Sequence, residues 1–278
     1  MMQFRTQVKI PPYPFSILPC AKMLFVGSCF AQSMGERFLA EKFRATVNPY
    51  GVMYNPASIL HTVSRCESSA DFAVLTLGTN HVYRLKETDE IVDNCQKRPQ
   101  SLFREEVLSI DECVGFLSQA VDTLVMRNPD IKVIITVSPI RYAKYGFHES
   151  QLSKAVLLLS ANEMEKRYAG KVFYFPAYEI VNDELRDYRF YASDMLHPSE
   201  QAVEYVWECF SASLFGADTL QFLKEWQPIR EAINHRPFNP DSEAYKEFVN
   251  NTLVKVRALK QKYTDLELED NPFRPSEK

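Results

Sequence analysis

The sequence predicts a three-layer α/β domain with a parallel central sheet and a helical C-terminal appendage. Four short apolar runs are nearly continuous, as is typical of strands covered on both faces of a parallel sheet. Segments with the period of amphipathic helices lie between these runs. From Pro198 onward the pattern is almost wholly helical.

Strands and helices alternate along the first two-thirds of the chain. The predicted strands are 23–26, 72–77, 133–137 and 172–175. A first helix follows Ser28, with one face made of Phe30, Met34, Phe38 and Leu39. A second begins at the capping box of Ser109 and Glu112 and ends before Pro129. Its predicted buried residues are Val114, Leu117, Val121 and Leu124. A third covers 152–168 and is closed by Gly170.

The last third contains three predicted helices, at 202–215, 220–233 and 242–262. The polar segment 265–278 is expected to be a loose tail, and the segment 237–240 is the one candidate hinge. We therefore divide the chain into a main domain, 1–235, and a C-terminal helix with a charged tail, 236–278.

Composition excludes several classes of partner. The 278 residues include 32 Lys and Arg against 36 Asp and Glu, a formal net charge of −4, so no nucleic-acid partner is expected. No run of about 18 apolar residues suggests a membrane span, and the first ten residues lack the apolar core of a secretory signal. The six cysteines have no metal-ligand spacing. We expect a cytoplasmic protein with reduced thiols and neither metal nor cofactor.

Candidate reactive residues follow the predicted strands. In an open α/β sheet, reactive groups gather at the carboxyl ends of the strands. The segments at these positions are Gly27-Ser28-Cys29-Phe30, Gly78-Thr79-Asn80-His81, Ser138-Pro139-Ile140-Arg141 and, at the end of the α/β part, Ser193-Asp194-Met195-Leu196-His197-Pro198. Their Ser, Asn, Asp and His side chains can therefore converge.

An ordered set of motifs carries a family resemblance. The first is Gly27-Ser28-Cys29-Phe30-Ala31, and the others are Asn48-Pro49-Tyr50-Gly51, Tyr54-Asn55-Pro56, Thr76-Leu77-Gly78-Thr79, Val137-Ser138-Pro139, Tyr174-Phe175-Pro176 and Asp187-Tyr188-Arg189-Phe190-Tyr191. Over roughly residues 4–235 the chain resembles the GSCFA family, which looks like a branch of the SGNH (GDSL-like) hydrolases. The resemblance implies an SGNH-hydrolase-like αβα fold and a hydrolase.

The resemblance also implies roles for individual residues. Ser28 resembles the nucleophile of SGNH hydrolases, and Asp194 with His197 resembles their acid and base. Gly51 resembles the glycine of the second conserved block. Asn80 resembles the asparagine of the third block, although His81 stands where that block has aspartate. A second asparagine competes for the same role, because Asn94-Cys95-Gln96-Lys97 resembles a block of GSCFA proteins.

The chemistry of these residue types supports the assignment. A serine hydroxyl needs an imidazole nearby to remove its proton, and Asp194 can hold His197 in the tautomer that leaves Nε2 free. The backbone N–H groups of Ser28 and Gly51, with an asparagine amide from Asn80 or Asn94, would then bind the oxyanion.

Structural interpretations stand beside these roles. Ser28 could be only a helix N-cap, and Asp194 and His197 could form a surface turn before Pro198 at the first helical position. The two asparagines and Gly51 could serve only their turns. Cys29 is interpreted as a small apolar side chain that faces the sheet.

The leading prediction is a serine esterase or acyl hydrolase that cleaves O-acyl esters, with acetyl groups favoured. Its partner is a small-molecule or carbohydrate ester. Arg141 and Arg189 could hold an acidic sugar or a phosphate, or be solvated or ion-paired. The alternatives are a metal-dependent phosphoesterase with Asp194 and His197 as ligands, and a non-catalytic glycan- or partner-binding protein on the same fold.

Overall fold

The central sheet of this computed structural model, which describes residues 5–93, 95 and 98–273, is parallel throughout. Its five strands are, in spatial order, β2 (Arg44–Val47), β1 (Lys22–Gly27), β3 (Phe72–Leu77), β7 (Lys132–Val137) and β8 (Val172–Tyr174). Four of them confirm the predicted strands. The edge strand β2 was not predicted, because only four half-buried residues form it.

Helices cover both faces of the sheet, which confirms the three-layer architecture. One face carries α1 (Cys29–Ala40) and α6 (Glu200–Leu214), and the other carries α2 (Pro56–Arg65), α3 (Ile110–Arg127) and α4 (Phe147–Arg167). Strand β1 shows why: Met23 and Phe25 belong to one apolar cluster, and Leu24 and Val26 to the other. The burial of both faces explains why the central strands are almost continuously apolar.

The helix boundaries follow the capping signals. Ser109 Oγ accepts from Glu112 N at 3.3 Å, and Glu112 Oε2 accepts from Ser109 N at 2.8 Å, so the predicted capping box at the start of α3 is confirmed. Helix α2 was not predicted, although Asn55 caps it and Pro56 is its first residue. Leu39, which the helical period placed on the same face of α1 as Phe30, Met34 and Phe38, is 44% exposed, whereas those three are buried.

A small antiparallel sheet follows β3. It consists of β4 (His81–Leu85), β5 (Ile91–Val92) and β6 (Phe103–Val107), in the spatial order β5-β4-β6. Sequence patterning did not predict it, because most of its residues are half-buried or exposed. After β8 the chain forms the single turn α5 (Ala177–Glu179), which continues as a π-helical turn at Ile180–Leu185.

The C-terminal region contains the two predicted helices α7 (Ala217–Asn234) and α8 (Glu243–Lys262). They share a third apolar cluster with Cys20, and the cluster includes Leu266 and Leu268. The expectation of a loose tail from residue 265 is therefore wrong for these two leucines, which are 6% and 9% exposed. The boundary at residue 235 stays a prediction.

Two further observations concern membrane-spanning helices and the state of the cysteines. No helix in the described part of the chain is long and apolar enough to cross a membrane. All six cysteines are free thiols, and Cys20, Cys66 and Cys113 are buried. The cytoplasmic location stays a prediction.

Candidate active site

The carboxyl ends of three adjacent strands place Ser28, Gly78 and Ser138 at one edge of the sheet. Gly27, the last residue of β1, pairs with Thr76 of β3, and Leu77 of β3 pairs with Val137 of β7. Each of the three residues follows its strand within one or two positions. The strand ends that carry Ser28, Gly78 and Ser138 are thus adjacent, while the convergence of the Ser, Asn, Asp and His side chains stays a prediction.

Ser28 lies at the turn from β1 into α1 and caps the helix. Its Oγ accepts from Phe30 N at 3.2 Å and donates to Ser138 Oγ at 2.9 Å, and Ser28 has no exposed surface. The preceding residue must be glycine, because a Cβ on Gly27 would lie 2.3 Å from Thr76 O. Ser28 is thus both a helix cap and one member of a buried pair of hydroxyl groups.

Asp194 and His197, the residues expected to be the acid and the base, are hydrogen-bonded to each other. Asp194 Oδ2 accepts from His197 Nδ1 at 2.6 Å, while Oδ1 accepts from the backbone N–H groups of Leu196 and His197 at 2.9 and 3.0 Å. These backbone bonds, with the bond to the imidazole, lower the pKa of Asp194 to about 2. Asp194 therefore stays ionised at neutral pH and holds the tautomer with the proton on Nδ1.

The turn that carries this pair is fixed by the segment after β7. Arg141 donates from its backbone N–H to Leu196 O and from Nη1 to Met195 O, each at 3.0 Å. Ala192 N also donates to His197 O at 2.7 Å, which closes the turn. Pro198 does not begin α6, because Ser199 is the N-cap. Arg141 is thus a structural partner of the turn, and the exposed Arg189 pairs with Asp187 at 3.5 Å.

The serine and the imidazole are not in contact in this structure. Among the described residues, no hydrogen bond joins Ser28 to His197, and His197 Nε2 has no partner. The segment from Ser138 to Arg141 connects the two, because Ser138 bonds Ser28 and Arg141 bonds the His197 turn. Ser28 with Ser138, and Asp194 with His197, are therefore two separate hydrogen-bonded pairs, which the segment from Ser138 to Arg141 connects.

Each expected oxyanion donor on a described residue makes one hydrogen bond to a protein carbonyl, and the Asn80 amide has a second N–H besides the one in that bond. Ser28 N donates to Thr76 O at 3.3 Å, and Gly51 N donates to Asn48 O at 2.8 Å in an exposed turn with φ +93°. Asn80 Nδ2 donates to Leu108 O at 2.7 Å, between β4 and β6. Asn94 lies outside the described residues.

Sequence reasoning missed Lys154, which lies on the buried side of α4 and is 2% exposed. Its Nζ donates to Gly78 O at 2.6 Å and to Ser138 O at 2.8 Å, so it ties together the carboxyl ends of β3 and β7. Burial lowers the pKa of Lys154 to about 7. Helical spacing is the signal that could have placed Lys154 on the buried face. Ser150, four residues before it, and Leu157, three residues after it, are buried on the same helix.

We expect Lys154 to make the stability of the protein depend on pH. The unfolded chain keeps this amine protonated up to about pH 10, whereas the folded protein releases the proton near pH 7. The unfolded state therefore binds more protons between these values, and the free energy of unfolding contributed by Lys154 rises with pH. In denaturant titrations, the free energy of unfolding of wild type should rise relative to that of Lys154→Met between pH 7 and pH 10. A constant difference would contradict the shifted pKa.

Cys29, beside Ser28, is only partly buried, and its Sγ lies 4.0 Å from Tyr54 Oη. Cys29 packs with the apolar cluster on the α1 face of the sheet, as its interpretation as an apolar side chain requires. In the described ranges, no group of three or more His, Cys, Asp or Glu side chains is arranged to hold a metal ion.

Comparisons with known proteins identify one family. The model of the GSCFA family matches residues 22–69 and 61–210, and the model of the GSCFA domain protein, C-terminal domain, matches residues 226–273. No curated protein sequence matches the chain.

Solved structures resemble the fold at low sequence identity. A carbohydrate esterase family 3 protein from Talaromyces cellulolyticus is 11% identical with a TM-score of 0.42, over 74% of this chain and 99% of that one. Axe2, an acetylxylan esterase from Geobacillus stearothermophilus, is 12% identical with a TM-score of 0.42, over 73% and 98%. A Streptococcus pneumonia protein whose description refers to platelet activating factor is 12% identical with a TM-score of 0.48, over 72% and 85%.

Proposed function

The chain belongs to the GSCFA family, and from that membership and the geometry of its site we propose that it is a serine esterase with Ser28, His197 and Asp194 as its triad. One observation carries the proposal: Asp194 holds His197 through Nδ1 at 2.6 Å and leaves Nε2 unpartnered among the described residues. This is the arrangement in which an imidazole accepts a proton from a serine hydroxyl.

The proposed reaction has two stages. Ser28 Oγ attacks the carbonyl carbon of an O-acyl ester while its proton passes to His197 Nε2, and that proton then leaves with the alcohol. Water attacks the resulting acyl-enzyme, gives its proton to Nε2, and releases the acid as Ser28 regains a proton. Asp194 stays ionised throughout and stabilises the imidazolium. Acetyl esters, including those of carbohydrates, are the substrates implied by the resemblance to SGNH hydrolases.

The resting geometry sets a condition on this reaction. Ser28 Oγ is buried and donates its proton to Ser138 Oγ, so the hydroxyl must give up this bond before its proton can pass to His197. The side chains around Ser28 must also move to admit the ester. The proposal therefore requires a site that opens when substrate binds.

Labelling with a fluorophosphonate tests the proposal directly. The reagent forms a covalent adduct only with a serine that an adjacent base activates, so we expect a mass increase on the peptide that contains Ser28. The adduct should be absent in His197→Ala and should form equally after exhaustive treatment with EDTA. Loss of labelling after chelation, with recovery on addition of metal, would favour the metal-dependent alternative.

The burial of Ser28 favours a second candidate, a non-catalytic binding protein on the same fold. A hydroxyl group that is fully buried and bonded to Ser138 has the features of a structural helix cap. A folded protein that stays unlabelled and does not hydrolyse p-nitrophenyl acetate would support this candidate and contradict the esterase.

A further inference from the structure

Stabilisation of the oxyanion is unassigned in the proposed reaction. The backbone N–H groups of Ser28 and Gly51, and one of the two N–H groups of the Asn80 amide, each bond to a protein carbonyl. Attack on an ester places negative charge on the carbonyl oxygen, and a hydrogen-bond donor aimed at that oxygen lowers the barrier. A donor without a partner at the same edge of the sheet would meet this need.

Tyr142 provides such a donor. It follows β7 by five residues, and its hydroxyl group is buried without a partner in the described part of the chain. A Cβ built on Gly78 would lie 2.5 Å from this hydroxyl. The phenol therefore lies against the carboxyl end of β3, the strand between β1, which leads to Ser28, and β7, which leads to Ser138.

The residue at position 78 must be glycine for this phenol to fit. Besides the Tyr142 hydroxyl, Tyr54 O would lie 2.7 Å from the same Cβ. Any side chain at this position would displace the phenol or the backbone of Tyr54. The glycine at position 78 is thus what allows the Tyr142 phenol to approach the end of β3.

We propose that Tyr142 is a catalytic residue, whose phenol donates a hydrogen bond to the carbonyl oxygen of the ester as Ser28 attacks; this inference rests on the proposed esterase function. As the bond from Ser28 Oγ to the carbonyl carbon forms, the π electron pair moves onto the carbonyl oxygen, and the Ser28 proton goes to His197. The phenolic proton stays on Tyr142. The hydrogen bond strengthens as charge develops, so it stabilises the transition state more than the bound ester.

The surroundings of Tyr142 suit a neutral donor. Burial raises the pKa of the Tyr142 phenol well above its ordinary value, so the hydroxyl keeps its proton over the whole working range. Lys154 Nζ lies 4.9 Å from the centre of the ring and holds Gly78 O and Ser138 O. The lysine thus binds the end of β3 against which the phenol lies, and ties it to the end of β7.

An unpaired buried hydroxyl lowers the stability of a fold. Removing the Tyr142 hydroxyl should therefore lower the rate of catalysis without lowering the stability of the fold. A structural tyrosine would behave in the opposite way, because loss of a satisfied hydroxyl destabilises the protein.

Tyr142→Phe tests the proposal with p-nitrophenyl acetate as substrate. We expect kcat to fall about 100- to 1,000-fold, the usual effect of removing one oxyanion donor, with little change in KM. The Tm should be unchanged or higher. Tyr168→Phe is the matched control, because its hydroxyl donates to Asp122 Oδ1 at 2.8 Å and lies after α4, at the opposite end of the sheet. That variant should lose stability and keep kcat.

The outcomes separate this inference from the function on which it rests. If Ser28 is labelled and wild type is active, but Tyr142→Phe keeps kcat, the role of Tyr142 is overturned and the esterase stands. A fall in kcat that accompanies a lower Tm would assign Tyr142 a structural role and also overturn it. A wild type that neither hydrolyses the ester nor labels at Ser28 would overturn both.

Discussion

Ser28→Ala should abolish hydrolysis of p-nitrophenyl acetate, with a fall in kcat of about 10⁶-fold, because removing a triad serine leaves only binding and electrostatic effects. Kinetics with active-site titration would measure the loss. The same change removes the Oγ that caps α1, at a cost of about 1 kcal/mol in stability. A melting curve must therefore show that the variant is folded at the assay temperature.

Cys29→Ala is the matched control for this experiment. Cys29 is adjacent in sequence and partly exposed, and its Sγ lies 4.0 Å from the hydroxyl of Tyr54, which is not a base. We expect this variant to keep a substantial fraction of wild-type activity. If Cys29→Ala is the inactive variant and Ser28→Ala is active, the enzyme is a thiol hydrolase and the triad assignment is wrong.

The buried part of the fold was predictable because burial leaves a pattern in the sequence. Strands β1, β3 and β7 are covered on both faces, so their residues are almost all apolar. The small sheet β4–β6 leaves most of its residues half-buried or exposed, and its mixed sequence resembles a loop. Leu266 and Leu268 show a different limit. Two leucines in a charged segment give no periodic signal, and only the tertiary structure shows that they pack against α7 and α8.

The candidate site was predictable where its chemistry is local in sequence. Asp194 and His197 are three residues apart, and a turn brings them together. The contacts of Ser28 with Ser138, and of Lys154 with Gly78, join residues that are 110 and 76 positions apart. No short motif encodes such contacts. The bond from Asn80 to Leu108 was unpredictable for the same reason, because it joins neighbouring strands of a sheet that the sequence did not predict.

Asp194→Asn should leave the fold intact and lower kcat about 10⁴-fold. The asparagine Oδ1 can still accept the backbone N–H groups of Leu196 and His197, so the turn keeps its hydrogen bonds. The new NH₂ group, however, faces His197 Nδ1 at the position of the present 2.6 Å bond. It donates where the carboxylate accepted, which moves the imidazole proton to Nε2. An Nε2 that already carries a proton cannot accept one from Ser28, and a loss of about this size follows from such a tautomer change.

Asp187→Asn is the matched control for this change. Asp187 also accepts a backbone N–H two residues on, from Arg189 at 2.9 Å, but it has no histidine partner. We expect Asp187→Asn to keep wild-type kcat, with both variants melting near the wild-type Tm. Full activity of Asp194→Asn would show that the carboxylate does not orient the base. A collapsed melting curve for Asp194→Asn alone would show that its two backbone bonds hold the turn and that Asp194 is structural.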